Sequence, residues 1–181
     1  MKKAYTVAEL LVVISLITIF SGIGLYFSYK VKQVNRLERA KVFLASKIHL
    51  ARSYALSPRK VNGATPFGFG IYISHFPTDH FYLFADLDND HEYSTSSDVI
   101  IKKFFLEKLT EISSACFLEE EAEEEACKEV CEKLHLFFAF PDAKVYFNGA
   151  ESVASVKITL KEKSSGKEGE VYVNQLGQIS F

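Results

Sequence analysis

From Leu10 to Tyr29 the chain carries no charged residue. Twenty uncharged, mostly apolar positions at about 1.5 Å rise each give a helix roughly 30 Å long, the thickness of a bilayer's hydrocarbon core. The run is therefore expected to be a membrane helix. It is too long for the apolar region of a removable secretory signal, and no A-x-A site follows it, so the helix is expected to stay with the mature chain. Glu9 stands at its head. An unpartnered carboxylate deep in lipid costs on the order of 2.5–3.5 kcal/mol, so Glu9 either marks the interface or has a partner.

The residues before the run decide between these. Lys2-Lys3, the small Ala4, Tyr5, and Glu9 five residues after Ala4 together resemble the class III signal of type IV prepilins and pseudopilins. The resemblance implies cleavage by a prepilin peptidase between Ala4 and Tyr5, N-methylation of Tyr5, and Glu9 at the family's fifth mature position. Ala4 stands where the family usually has Gly, and Tyr5 where it usually has Phe. In that family the glutamate is thought to pair with the terminal ammonium of a neighbouring subunit. Glu9 would then set register during assembly, because a buried charge is tolerable only when paired. The expected partners are other pilin or pseudopilin subunits, the prepilin peptidase, the assembly platform of the inner membrane, and membrane lipid. The expected location is a single pass through the cytoplasmic membrane with an extracytoplasmic head, then a pilus or pseudopilus.

Beyond Tyr29 the pattern becomes amphipathic with no Pro or Gly break before Pro58. Leu37, Ala40, Leu44, Ile48, Ala51 and Ala55 recur at helical spacing, with Arg36, Arg39, Lys41, Lys47 and Arg52 largely outside that stripe. One helix from about Thr6 to Leu56 is expected, stopped at Ser57-Pro58. Ser21-Gly22-Ile23-Gly24 is read either as a close-packing face or as a weak spot that unwinds on filament entry. Seven basic residues and one acid, Glu38, lie between Lys30 and Arg52, read as a solvated face that also meets lipid headgroups.

Sixteen Phe, nine Tyr and no Trp favour pleated positions. Strands are expected at 67–74, 81–85, 99–105, 144–147, 155–161, 170–173 and 178–181, with turns at Asn62-Gly63, Asn148-Gly149 and Ser164-Ser165-Gly166. The expected fold class is α+β: a long N-terminal helix, membrane-spanning in its first half and amphipathic in its second, packed on an antiparallel β-sheet head in the manner of a pilin lollipop. The expected organisation is a leader at 1–4, the helix at 5–57, and the head at 58–181 with an insertion at 116–134. Runs such as Phe69-Gly70-Ile71-Tyr72-Ile73, the stretch Tyr82 to Asp90, and the ending Val171 to Ile179 resemble the H-type pseudopilin and FimT-like group. Some FimT-like members bind DNA through basic residues near the C-terminus. Here residues 167–181 hold one Lys and two Glu, so no nucleic-acid partner is expected. The net charge of −2 points the same way.

Asp86, Asp88, Asp90 and Glu92 have the alternate spacing of a calcium loop. His91 occupies the position of that loop's glycine and Ser97 that of its final Glu. The leading reading is an acidic turn with Asx-type capping and no cofactor, and calcium is the alternative.

Residues 118–134 hold eight Glu and two Lys. Leu118, Ala122, Ala126, Val130 and Leu134 repeat every four residues, so a short acidic helix is expected, either solvated or docked on the basic stem of an adjacent subunit. The three cysteines, Cys116, Cys127 and Cys131, allow one disulfide whose pairing stays open. His135 after Cys131 offers a fourth zinc ligand at an unfamiliar spacing.

No phosphate loop, activated nucleophile or carboxylate pair stands in a catalytic setting, so no enzyme is expected. The expected function is a structural subunit, a minor pilin or pseudopilin of a type IV pilus or a type II secretion pseudopilus serving protein secretion. The alternative is a membrane-anchored extracytoplasmic binding module that does not polymerise.

Overall fold

The computed structural model describes residues 7–57, 59–118, 129–151 and 153–181. The chain divides into two compact units, Met1–Asn35 and Arg36–Phe181. A helix, α1, runs through Val7–Leu56. Ten strands follow: β1 Gly68–Ile73, β2 His80–Asp86, β3 Val99–Phe105, β4 Thr110–Leu118, β5 Glu129–Val130, β6 Leu134–Ala139, β7 Lys144–Phe147, β8 Ser155–Glu162, β9 Glu168–Asn174 and β10 Ile179–Ser180. They form two antiparallel sheets of five strands each, ordered β3-β2-β1-β6-β7 and β10-β9-β8-β4-β5.

The expected fold class is corrected. The chain is rich in sheet, with two sheets in place of one, and no helix among the described residues is long and apolar enough to cross a membrane. The α1 side chains described before the first gap run from Val7 to Ile23. They rise about 25 Å, short of about 30 Å of hydrocarbon, and they include Glu9. The membrane-spanning first half, the single-pass inner-membrane location and the description as a transmembrane pilin are corrected with it.

In the second unit, Leu37, Ala40, Leu44, Ile48, Ala51 and Ala55 are all buried. They join one core with Phe69, Ile71, Phe81, Leu83, Leu136 and Phe138 of the first sheet and Val156, Ile158, Val171 and Val173 of the second. Each fully buried large side chain contributes about 1.5–3 kcal/mol, so α1 is held here by packing. The stem cations are used within this unit. Arg39 grips Glu107 with two bonds of 3.0 Å, Arg36 lies 3.6 Å from Glu162, and Lys41 reaches Glu38 at 2.8 Å. Lys47 sits over the Phe43 and Phe104 rings, and Arg52 donates to the Gly177 carbonyl at 3.2 Å. The reading of the stem as a solvated basic face is corrected for Arg36, Lys41, Lys47 and Arg52, which are partly or wholly covered, whereas the Arg39 side chain, 60% exposed, stays on the surface.

Along β8 burial alternates, which brings Val156, Ile158, Leu160 and Glu162 inward. Burial pushes the Glu162 carboxyl up, but hydrogen bonds from Ser164 and Ser165 and the Arg36 charge outweigh it and hold the group below its usual value. The Asn-Gly pairs close tight turns. Asn62 and Gly63 have φ of 50° and 85°, Asn148 and Gly149 of 45° and 73°, the mirror-image geometry that such pairs adopt cheaply.

Gly70 sits in register between Phe84 of β2 and Phe137 of β6. The Phe84 ring lies over the bare backbone of Gly70 and the Phe137 ring over that of Gly68, and the two rings stack with centroids 6.2 Å apart. This aromatic layer is on the face of the sheet away from Phe69 and Ile71, yet both rings are fully buried, because the connection from β2 to β3 folds across them.

Candidate functional site

That connection is the acidic loop. Asp86, the last residue of β2, is fully buried. Its Oδ1 accepts the backbone N–H groups of Asp88 at 3.0 Å and Asn89 at 2.6 Å, and its Oδ2 that of His91 at 3.0 Å. Asp98 closes the other end, accepting from Leu87 N at 2.9 Å and Ser94 N at 2.7 Å. Asn89 and His91 take left-handed φ values of 68° and 64°, a strain compensated at His91 by its ring stacking 3.9 Å from Tyr146 and 5.1 Å from Phe137. Tyr93 packs on Tyr72 and Phe84. The two aspartates thus bracket a loop that roofs the aromatic layer.

Of the four residues expected as calcium ligands, Asp86 and Asp88 come together, and the third carboxylate beside them is Asp98. One oxygen from each lies within 4.8 Å of the others. Asp90 instead caps its own turn through Glu92 N at 2.9 Å, and Glu92 turns to Lys133 at 3.4 Å. Burial pushes the Asp86 and Asp98 carboxyls above their usual values, opposed by the backbone N–H groups they accept. Calcium takes six to eight oxygens. Three carboxylates, one of them holding three N–H groups and another bonded by the Ser97 hydroxyl, explain the loop's shape without an ion. Asp98 escaped the sequence reading because it falls one residue past the twelfth position of the calcium pattern. The Ser-rich stretch before it was the available signal for a capping carboxylate.

Asp86→Ala should release the loop, since three donors lose their acceptor at about 1 kcal/mol or more each. Amide hydrogen exchange at Asn89 and His91 should accelerate at least tenfold, while exchange in β8 should stay unchanged.

His135 of β6 anchors the roof from below. It is buried, its Nδ1 accepts the Tyr93 N–H at 2.7 Å, and its backbone N–H donates to Asn148 Oδ1 at 2.7 Å. With Nδ1 accepting, the proton of the neutral ring is on Nε2, which is buried and has no hydrogen-bond partner among the described residues. Burial drives this imidazole down to about 4, against the pull of Glu92 and with the push of Lys133. The zinc reading is corrected here, because Cys116 is disulfide-bonded and so cannot act as a thiolate ligand.

Cys116 faces Val130 across β4 and β5, and the buried Cys131 donates its N–H to Ala115 O at 2.9 Å. Cys127 lies outside the described residues. The helix expected over 118–134 is corrected at its end. Val130 belongs to β5 and Leu134 begins β6, since a β-branched residue beside the free edge of β4 gains a ladder there.

The other expected site is the start of α1. Ala4 and Tyr5 lie outside the described residues. Glu9 is exposed in the first turn, where the helix dipole favours a carboxylate. It borders a shallow recess of about 460 Å³ with Ala8, Val12 and Val13. The side chains from Leu10 to Val13 are all at least half exposed, and Phe20 is 69% exposed. Ser15 and Thr18 turn their hydroxyls back to helix carbonyls at 2.6 and 2.8 Å, so even the polar positions present an apolar surface. An alanine Cβ at Gly22 would meet nothing within 4 Å. No protein family, no curated protein and no solved structure matches this chain.

Proposed function

We propose that the chain is a structural subunit of a pilin-like filament, a minor pilin or pseudopilin, processed at Ala4-Tyr5 and assembled through α1. The observation that carries this reading is the first part of α1, which is exposed and apolar on every side with a carboxylate in its first turn. A helix apolar all round is stable only when other apolar surface covers it. Neighbouring copies of the same helix type supply that surface, and a neighbour's terminal ammonium supplies the counter-charge for Glu9. The sequence before the helix is the second support, since Lys2-Lys3-Ala4-Tyr5 provides the cut that creates this ammonium.

The test is the intact mass and N-terminal sequence of the full chain expressed with and without a prepilin peptidase. A mature chain starting at N-methylated Tyr5 is the expected result. A chain that still begins at Met1 beside an active peptidase would overturn the reading.

A further inference from the structure

The turn from β1 to β2 brings together two of the chain's five histidines. The rings of His75 and His80 meet edge to face, with centroids 6.2 Å apart. The backbone beneath them is pinned from two neighbouring elements. Thr78 donates to the Ile112 carbonyl at 3.0 Å and accepts from Ile112 N at 2.7 Å, and the Asp79 carbonyl accepts from Leu106 N at 2.8 Å. His80 is the better fixed of the pair, its ring packed against Tyr82 at 5.4 Å and Phe105 at 5.8 Å. Its Nδ1 lies 2.9 Å from Asp79 Oδ1 and 3.3 Å from Thr78 Oγ1. A carboxylate only accepts, and the Thr78 hydroxyl spends its own proton on the His80 carbonyl at 3.3 Å. In the neutral ring the proton is therefore on Nδ1, and Nε2 presents its lone pair.

An imidazole whose second nitrogen donates to a carboxylate has its tautomer and orientation set for a metal ion, and is the more basic ligand for it. His75 repeats the pattern with a hydroxyl, its Nδ1 2.9 Å from Ser74 Oγ, and its side chain is exposed. A tetrahedral ion about 2.1 Å from each Nε2 holds the two ring centres about 5.3 Å apart. Closing the observed separation by about 1 Å lies within a side-chain rotation of the exposed His75. We propose that His75 and His80 bind one late first-row divalent metal ion through Nε2, with Asp79 orienting His80 from behind. Imidazole suits Zn²⁺, Ni²⁺ and Cu²⁺, whereas Ca²⁺ and Mg²⁺ take oxygen. Two protein ligands leave the remaining positions to water or to a donor from another molecule, so the site is an exchangeable one. The other histidines lack this arrangement. His49 is exposed on α1, His91 is stacked on Tyr146 and Phe137, and His135 is buried with Nδ1 accepting from Tyr93. The proposal is independent of the filament reading and of leader processing.

The test titrates the full-length chain with Cu²⁺, the tightest binder of the series, and reads it by calorimetry and electron paramagnetic resonance. One ion per chain is expected, with micromolar affinity and hyperfine splitting from two imidazole nitrogens. His75→Gln and His80→Gln should each weaken binding at least tenfold, and Asp79→Asn about tenfold. His49→Gln and His91→Gln should leave it unchanged. In a parallel measurement Zn²⁺ should raise the thermal midpoint of the wild type by mass action and leave that of His75→Gln where it is. Should His80→Gln fail to fold, His75→Gln still decides, because its exposed position keeps the metal-free midpoint at the wild-type value. The same metal-free midpoint in Asp79→Asn separates loss of ligand orientation from loss of the turn. No saturable binding, coupling to a single nitrogen, or binding that survives His75→Gln, and so lies at the amino terminus or another histidine, would overturn the proposal.

Discussion

Gly68→Ala is expected to lower the stability of the second unit by about 3 kcal/mol or more. An added Cβ would lie 2.2 Å from the Phe138 carbonyl oxygen and 2.3 Å from the Phe137 ring. The ring could swing, but the carbonyl belongs to the backbone of β6, which pairs with β1 along six residues. The flanking Phe67 is tied on both sides, donating to Asp86 O at 2.9 Å and accepting from Phe140 N at 2.8 Å. Overpacking of this kind typically costs 1–3 kcal/mol, and more where the obstacle cannot yield. Thermal denaturation should show a midpoint lower by about 10 °C. Gly22→Ala is the control: it has open space around it and should raise helix propensity by about 1 kcal/mol without moving the midpoint of the sheets. A loss below about 1 kcal/mol in Gly68→Ala would mean that β1 shifts freely against β6, contrary to its pinned register.

Acid should weaken the same unit through His135. Its folded-state value, about 4, lies below the ordinary 6.5, so between these the unfolded chain binds a proton that the folded chain refuses. The contribution is intact above pH about 6.5, is lost progressively as pH falls to about 4, and then levels off. The total is about 3 kcal/mol. Below about pH 4 the ring protonates in place and Nδ1 can no longer accept the Tyr93 N–H. Chemical denaturation of wild type and His135→Asn at several pH values between 7 and 4 isolates this term, because the variant removes the imidazole and leaves every carboxylate in place. The stability of the variant should fall less steeply with acid by about that amount. Parallel slopes would mean that His135 is not protected from protonation. Glu92, 3.9 Å from Nδ1, and Lys133 are the charged neighbours that tune the midpoint.

Both predictions concern residues whose importance is invisible in one dimension. Gly68 and Gly70 carry no signal of their own in the sequence, and only the facing strands bring Phe137 and Phe84 over them. His135 read as a spare metal ligand until the loop placed Tyr93 N above its ring. The β6 run Leu134 to Ala139 was missed because the acidic repeat before it extended a helical reading through Leu134. The β4 segment was missed because Glu111, Ser113 and Ser114 interrupt its apolar residues. The acidic loop was read as an Asx-capped turn or a calcium site. Asp86 does cap the turn, but the carboxylate that completes the arrangement, Asp98, belongs to the far end of the loop.

What the sequence alone determined is local. The buried stripe from Leu37 to Ala55, the limits of β3 and β7, and the Asn-Gly turns follow from spacing and backbone preference acting over a few residues. The division of strands between two sheets, the roofing of one sheet's outer face and the pairing of the stem cations with Glu107 and Glu162 were decided only in three dimensions. Strand pairing and ion pairing join residues far apart in the chain, and their free energy depends on which surfaces remain to be covered once each local element has formed.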